Sequence, residues 1–204
     1  MERVLIVAKT RMKSGVCVSG LTRKTNRSIR LIPQGRLNQP DNTDFEVGQA
    51  WDLDFYDAPE KILPHIEDVI VTQEKYVNQV PNVLEILMQR VKPWSGGVRE
   101  LFEGKLTLSG TKAYLTGSIG MPSCSTGYWL PSRELVFTMK NDKPYYRFYS
   151  PNESRDTLIP YVGFKQPVSR ILPATLVRVS LTRWWAPEGV NEQRCYLQLS
   201  GWYE

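Results

Sequence analysis

Residues 3–9 (RVLIVAK) carry apolar side chains at both parities, the pattern of a β-strand covered on both faces. Val16–Leu21 (VCVSGL) and Ser28–Pro33 (SIRLIP) are further β-rich runs, and the polar stretch Thr22–Arg27 between them reads as a hairpin with a basic tip. In Trp51–Tyr56, Trp51, Leu53 and Phe55 alternate with Asp52 and Asp54, which predicts a half-buried strand with its acids on the wet side. Asp68–Thr72 supplies a fifth strand. Asn82 stands as an N-cap before Val83, Leu84, Leu87, Met88 and Val91, a helical spacing that stops at Lys92-Pro93 and predicts one helix over 83–92. A shorter helical piece is expected at Val98–Phe102.

From about residue 106 the pattern becomes short strands broken by Pro and Gly: Leu106–Leu108, Tyr114–Leu115, Leu135–Met139, Tyr145–Tyr149, Leu176–Trp185 and Cys195–Tyr203. Of the 22 Phe, Trp and Tyr residues, 14 lie between Tyr128 and Glu204, which suits a second all-β unit. The last two runs read as a hairpin. Period two places Val177, Val179 and Leu181 on one face of the first strand, with Arg178, Ser180, Thr182 and Trp184 on the other. In the second strand it sets Cys195, Leu197 and Leu199 against Tyr196, Gln198, Ser200 and Trp202. The protein is therefore expected to be mainly all-β. Five short strands and a helix of about ten residues are the inventory of a small OB-type barrel over residues 1–105, followed by an OB-like β-unit over 106–204.

A chain of 204 residues has room for two small domains, and 41% hydrophobic with 23% charged residues excludes disorder and coiled coil. The longest apolar run, Val4–Val7, is far short of the ~20 residues of a membrane span, and the opening does not read as a secretory signal. A cytoplasmic protein without membrane contact is expected. Cys17, Cys124 and Cys195 are far apart and His65 is the one histidine, so a disulfide framework and a metal site are disfavoured. His65 reads as structural beside Glu67 and Asp68, because two ligands leave most of a metal's coordination open. Cys124 lacks a neighbouring base or cation to activate it, although its loop, Ser123–Gly127, is a candidate rim for a binding surface as it leads into Tyr128–Pro131. No glycine-rich phosphate loop is present. Neither catalysis nor a cofactor is expected.

The net charge of +5 conceals a segregation. Residues 1–36 hold nine basic side chains against Glu2, whereas residues 37–72 hold nine acidic ones against Lys61. Such a division creates a field for a polyanion, or it disappears if neighbouring strands neutralise each other. Lys9, Arg11 and Lys13 at a strand end, with Arg23, Lys24, Arg27 and Arg30 of the hairpin, are candidate phosphate contacts. In the C-terminal hairpin Trp184, Tyr196 and Trp202 are candidate stacking platforms for unpaired bases, with Arg178 and Arg183 near the phosphates. The same face equally suits packing between domains.

Two stretches carry a resemblance. The opening VLIVAKTRMKSGVCVSGL with SIRLIP, and the close LVRVSLTRWWAPEG to RCYLQLSGWY, are similar to the bacterial dual OB-containing domain family; VGQAWDLDF and PHIEDV fit as well. Ser28 stands where that family often has Trp. The resemblance implies two OB-like barrels in one chain and a setting in bacterial nucleic-acid handling or defence, with no catalytic set to carry over. The expected function is a non-catalytic module for single-stranded or structured RNA or DNA, serving as an accessory or subunit of a larger nucleoprotein or defence complex. The alternative is a protein-interaction adaptor that docks through its aromatic face and charged segments.

Overall fold

Backbone pairing begins at the second residue. In a computed structural model, which describes residues 1–150 and 156–204, β1 (Glu2–Arg11), β2 (Val16–Thr22), β3 (Ser28–Pro33), β4 (Gln49–Asp57) and β5 (Asp68–Gln79) form a closed barrel in the order β1-β2-β3-β5-β4. Every pairing is antiparallel except that of β3 with β5. Its core is built on Val4, Ile6, Val18, Leu31, Leu53 and Val69. β1 is buried at both parities, as its sequence predicts, and a bulge between Ile6 and Ala8 shifts its register against β2. Helix α1 (Val83–Arg90) starts at Asn82, whose side chain accepts from Glu85 N at 3.1 Å and donates to Glu85 Oε2 at 3.0 Å, a reciprocal cap.

The chain divides into two compact units between Val91 and Lys92. The boundary expected after residue 105 lies inside the second unit, because Val98, Leu101 and Phe102 are buried in that unit's core with Trp94 packed against it. The helical piece expected at Val98–Phe102 is a 3₁₀ segment, Val98–Gly104, interrupted by an extended Leu101 and by positive φ at Phe102 and Glu103. Glu103 ties this irregular turn down. Its carboxylate accepts from Lys105 Nζ and from Ser123 N, each at 2.8 Å, while Lys105 also donates to the Met121 carbonyl at 2.6 Å. These donors hold the Glu103 carboxyl at about 2.

The second unit contains β6 (Trp94–Gly96), β7 (Thr107–Ser109), β8 (Lys112–Thr116), β9 (Thr126–Pro131), β10 (Leu135–Lys140), β11 (Lys143–Phe148), β12 (Thr157–Pro160), β13 (Arg170–Ile171), β14 (Leu176–Leu181) and β15 (Arg194–Tyr203). They form a six-stranded sheet, β6-β9-β14-β15-β8-β7, and a four-stranded sheet, β12-β11-β10-β13, around one core that includes Trp129, Tyr146, Ile159 and Val179. A parallel bridge from Tyr161 to Leu199 joins the end of β12 to β15. Following that bridge, the strands run β10-β11-β12-β15-β14-β9, with β9 and β10 consecutive in the chain. If β9 and β10 count as one bent strand, this is the order of the first barrel, down to its single parallel contact. Two OB-like units in a mainly all-β chain result.

β9 was not legible as a strand. The loop read as a candidate rim leads straight into it, and Tyr128 and Trp129 are buried in the middle of a sheet. Gly127 lets this strand pass beneath Trp94: an added Cβ would stand 2.2 Å from the indole. Gly127→Ala is expected to destabilise the protein by ~1–3 kcal/mol, the usual cost of overpacking, seen as a lower urea midpoint. Glu103→Gln is expected to lower the midpoint at pH 7. Because the Glu103 pKa is depressed, its contribution is fully present above the unfolded value of about 4.3 and fades as pH falls toward 2. Wild type and variant should therefore converge there, and a constant gap down to pH 2 would refute the assignment.

Candidate functional site

Strand register decides where the segregated charge goes. Arg3 and Asp52 are direct partners in the β1–β4 ladder, with Nη2 to Oδ2 at 3.0 Å. Arg30 and Asp68 are partners in the parallel β3–β5 ladder, joined by a fork of 2.8 and 3.3 Å. Lys9 is buried, donating to the Thr43 carbonyl at 3.3 Å and pairing with Glu46. Arg27 pairs with Asp57, which also receives Lys61 at 3.0 Å, and both cations hold the Asp57 carboxyl below the usual carboxylate range. Lys9, Arg27 and Arg30 are thus engaged by acids of the 37–72 segment and do not form the open phosphate surface expected of them. Freeing a partly buried ion such as Arg30 would leave Asp68 uncompensated, which opposes any exchange of partner.

The remaining cations of this unit separate. Arg11 and Lys13 are exposed at the β1–β2 turn, whereas Arg23 and Lys24 are exposed at the β2–β3 turn. β1 runs from Arg3, beside Arg23, to Arg11, so the two groups stand at opposite ends of a strand path of roughly 25 Å. The seven predicted cations are therefore not one patch. Among the described residues, the side chains of Lys13, Arg23 and Lys24 make no ion pair.

In the second unit a bulge alters the predicted faces. Val177 pairs with Trp202, Arg178 with Gly201 and Val179 with Leu199, which leaves Ser200 as the extra residue. Alternation reverses across it. Trp202 consequently joins the core, 4% exposed, with its ring 5.9 Å from Tyr146 and 5.7 Å from Tyr161. Arg178 is also buried, on a strand flanked by β9 and β15, with its guanidinium 5.2 Å over the Tyr128 ring. Burial raises the hydroxyl pKa of both Tyr128 and Tyr203 beside it. Neither Trp202 nor Arg178 is available as the contact predicted. Arg183 is half-buried, and Trp184 packs against the core; β14 ends at Leu181, so period two no longer governs these residues.

Trp185 is the exposed indole, at 49%. Its ring lies 5.4 Å from that of Tyr196, inclined by 41°. Tyr196, Thr182 and Gln198, from the face the sequence singled out, line a cleft of about 480 Å³. Lys112, Lys140 and Lys143 line it too, and among the described residues no Asp or Glu does. Sequence reasoning missed these lysines and Trp185. A signal existed: Lys140-Asn141-Asp142-Lys143 lies between two β-runs, and Asn141 and Asp142 take the positive φ of a tight hairpin turn. His65, Glu67 and Asp68 are buried, and among the described residues no three His, Cys, Asp or Glu converge as a metal site. No helix of the described residues is long and apolar enough to cross a membrane.

Two OB-like strand orders in succession direct attention to one family, and its profile, described as a dual OB-containing domain, matches residues 2–202. The chain belongs to the dual OB-containing domain family. No curated protein matches this dual OB chain. Solved structures similar to it include the p204 HINb domain, at 11% identity and a TM-score of 0.36, covering 97% of this chain and 95% of that one. The Ifi202 HINa domain in complex with 20bp dsDNA has 8% identity and a TM-score of 0.39, with 99% and 95% covered. A murine DNA binding protein bound with ds DNA has 11% identity and a TM-score of 0.32, with 97% and 91% covered. Likeness of this degree bears on no ligand.

The thiols of the dual OB chain divide by environment. Burial in β15 pushes Cys195 up to about 12, whereas Cys17 and Cys124 are partly exposed. At pH 8 a maleimide should label Cys195 only after unfolding. Rapid labelling of the native Cys195 would show that this strand opens.

Proposed function

We propose that this dual OB chain is a non-catalytic nucleic-acid-binding module, acting as an accessory or subunit of a larger nucleoprotein or defence complex. The reading rests on one observation. Acids of the 46–68 stretch engage Lys9, Arg27 and Arg30, while Lys13, Arg23, Lys24, Lys140 and Lys143 stand on exposed turns with no carboxylate paired to them among the described residues. Flexible cations at barrel turns suit phosphate contact, which fixes position without reading sequence. Anisotropy titrations with short RNA and DNA at two salt concentrations test this. Affinity is expected to fall steeply with salt, and Arg23→Glu with Lys24→Glu to weaken binding and flatten the log–log salt slope by about one unit per lost phosphate contact. Binding that is absent, or indifferent to salt, would defeat the proposal.

A second reading, a protein-interaction adaptor, is favoured by the β4–β5 loop, where Ile62 is 66% and Leu63 54% exposed. Two neighbouring aliphatic side chains in water suit an apolar contact on a partner. Co-purification with a protein partner, lost on Ile62→Asp with Leu63→Asp and accompanied by no nucleic-acid affinity, would favour it.

A further inference from the structure

Several elements of the second unit converge on the 480 Å³ cleft, a volume within the ~300–1,000 Å³ range of ligand sites. β8 brings Lys112, the β10–β11 turn brings Lys140 and Lys143, and β15 brings Tyr196 and Gln198. Trp185 follows the end of β14 and is held there by paired backbone hydrogen bonds with Arg194, at 3.2 and 2.9 Å. The Lys112 ammonium lies 5.9 Å from the centre of the Tyr196 ring, so the aromatic wall already stands in a cationic field. Asp142 is near in sequence, between Lys140 and Lys143, but does not line the cleft.

Each property narrows the ligand. An indole half open to water gains by contact with a flat apolar surface. Three lysines with no lining acid among the described residues call for negative charge beside that surface. Thr182 and Gln198 add hydrogen-bonding groups able to meet a polar ring edge. A flat ring with polar edges, joined to a phosphate, is a nucleotide. Within a duplex both faces of a base are covered by its neighbours, so only an unstacked one can lie on Trp185.

We propose that this cleft holds one unpaired nucleotide, its base against Trp185 and Tyr196 and its phosphate among Lys112, Lys140 and Lys143. The site deepens the nucleic-acid reading above and rests on it for the idea that the nucleotide belongs to a strand; a free nucleotide offers the same chemistry.

The test titrates the full chain with fluorescent ten-nucleotide oligo(dT) and oligo(rU), with a duplex of equal length, and with UMP followed by calorimetry. Single strands are expected to bind more tightly than the duplex. Trp185→Ala should weaken them about tenfold, as loss of one base–ring stack does, while Trp185→Phe keeps most of the affinity. Lys140→Glu with Lys143→Glu should weaken single strands and flatten their salt slope. The lysines are exposed on a turn, so that pair decides alone if Trp185→Ala fails to fold. Single-strand affinity unchanged in all variants would overturn the cleft and leave the broader reading intact. UMP binding that is lost in Trp185→Ala, with no polynucleotide binding at all, would sustain the cleft and defeat the broader reading. No binding of either would overturn both.

Discussion

Closure of the β1-β2-β3-β5-β4 ladder is the constraint on which the first unit depends. A closed ladder has no unpaired edge, and it must bring the first strand against the fourth and the third against the fifth. Those contacts set Arg3 across from Asp52 and Arg30 across from Asp68. Charges that lie tens of residues apart become nearest neighbours, and Arg3, Lys9, Arg27 and Arg30 are paired with acids of residues 37–72. Lys13 at the β1–β2 turn and Arg23 with Lys24 at the β2–β3 turn stay exposed.

The second unit reaches a comparable order by a looser route. Its ladder passes from one sheet to the other through the bridge of Tyr161 to Leu199 and through the bend between β9 and β10. Gly163 fits this crossing because an added Cβ would approach the Ser200 carbonyl to 2.4 Å. The Ser200 bulge sits at the same place. One extra residue there lets β15 turn Trp202 into the core while Tyr196, before the bulge, remains on the cleft side. Packing and candidate binding surface are therefore allotted by one local irregularity. The lysines opposite Tyr196 come from elements distant in sequence, and only the sheet arrangement makes them its neighbours.

Much of the fold was legible. Uninterrupted β-rich runs, alternation in Trp51–Tyr56 and the Asn82 cap correspond to β1–β5 and α1, because each signal is local and depends on backbone geometry alone. β6, β9, β12 and β13 were not legible: β6, β12 and β13 are two to four residues long, so the period-two signal has no length over which to develop, and in β9 burial does not alternate cleanly. For the candidate site, Tyr196 was placed on an appropriate face, whereas Trp202 and Arg178 were assigned to a surface and proved buried. Parity arguments hold only as far as a strand stays regular, and a bulge has no reliable signature in a single sequence.

The sequence by itself determined the class of the protein: β-rich, divided into two units, with opposite charge on successive segments and aromatics gathered toward the end. These are properties of composition and short-range periodicity. Tertiary structure alone decided which cations stay open to solvent, which indole faces water and which lysines stand beside it. Those outcomes depend on register and on the meeting of strands remote in the chain, and a shift of one residue in pairing exchanges every inward side chain for an outward one.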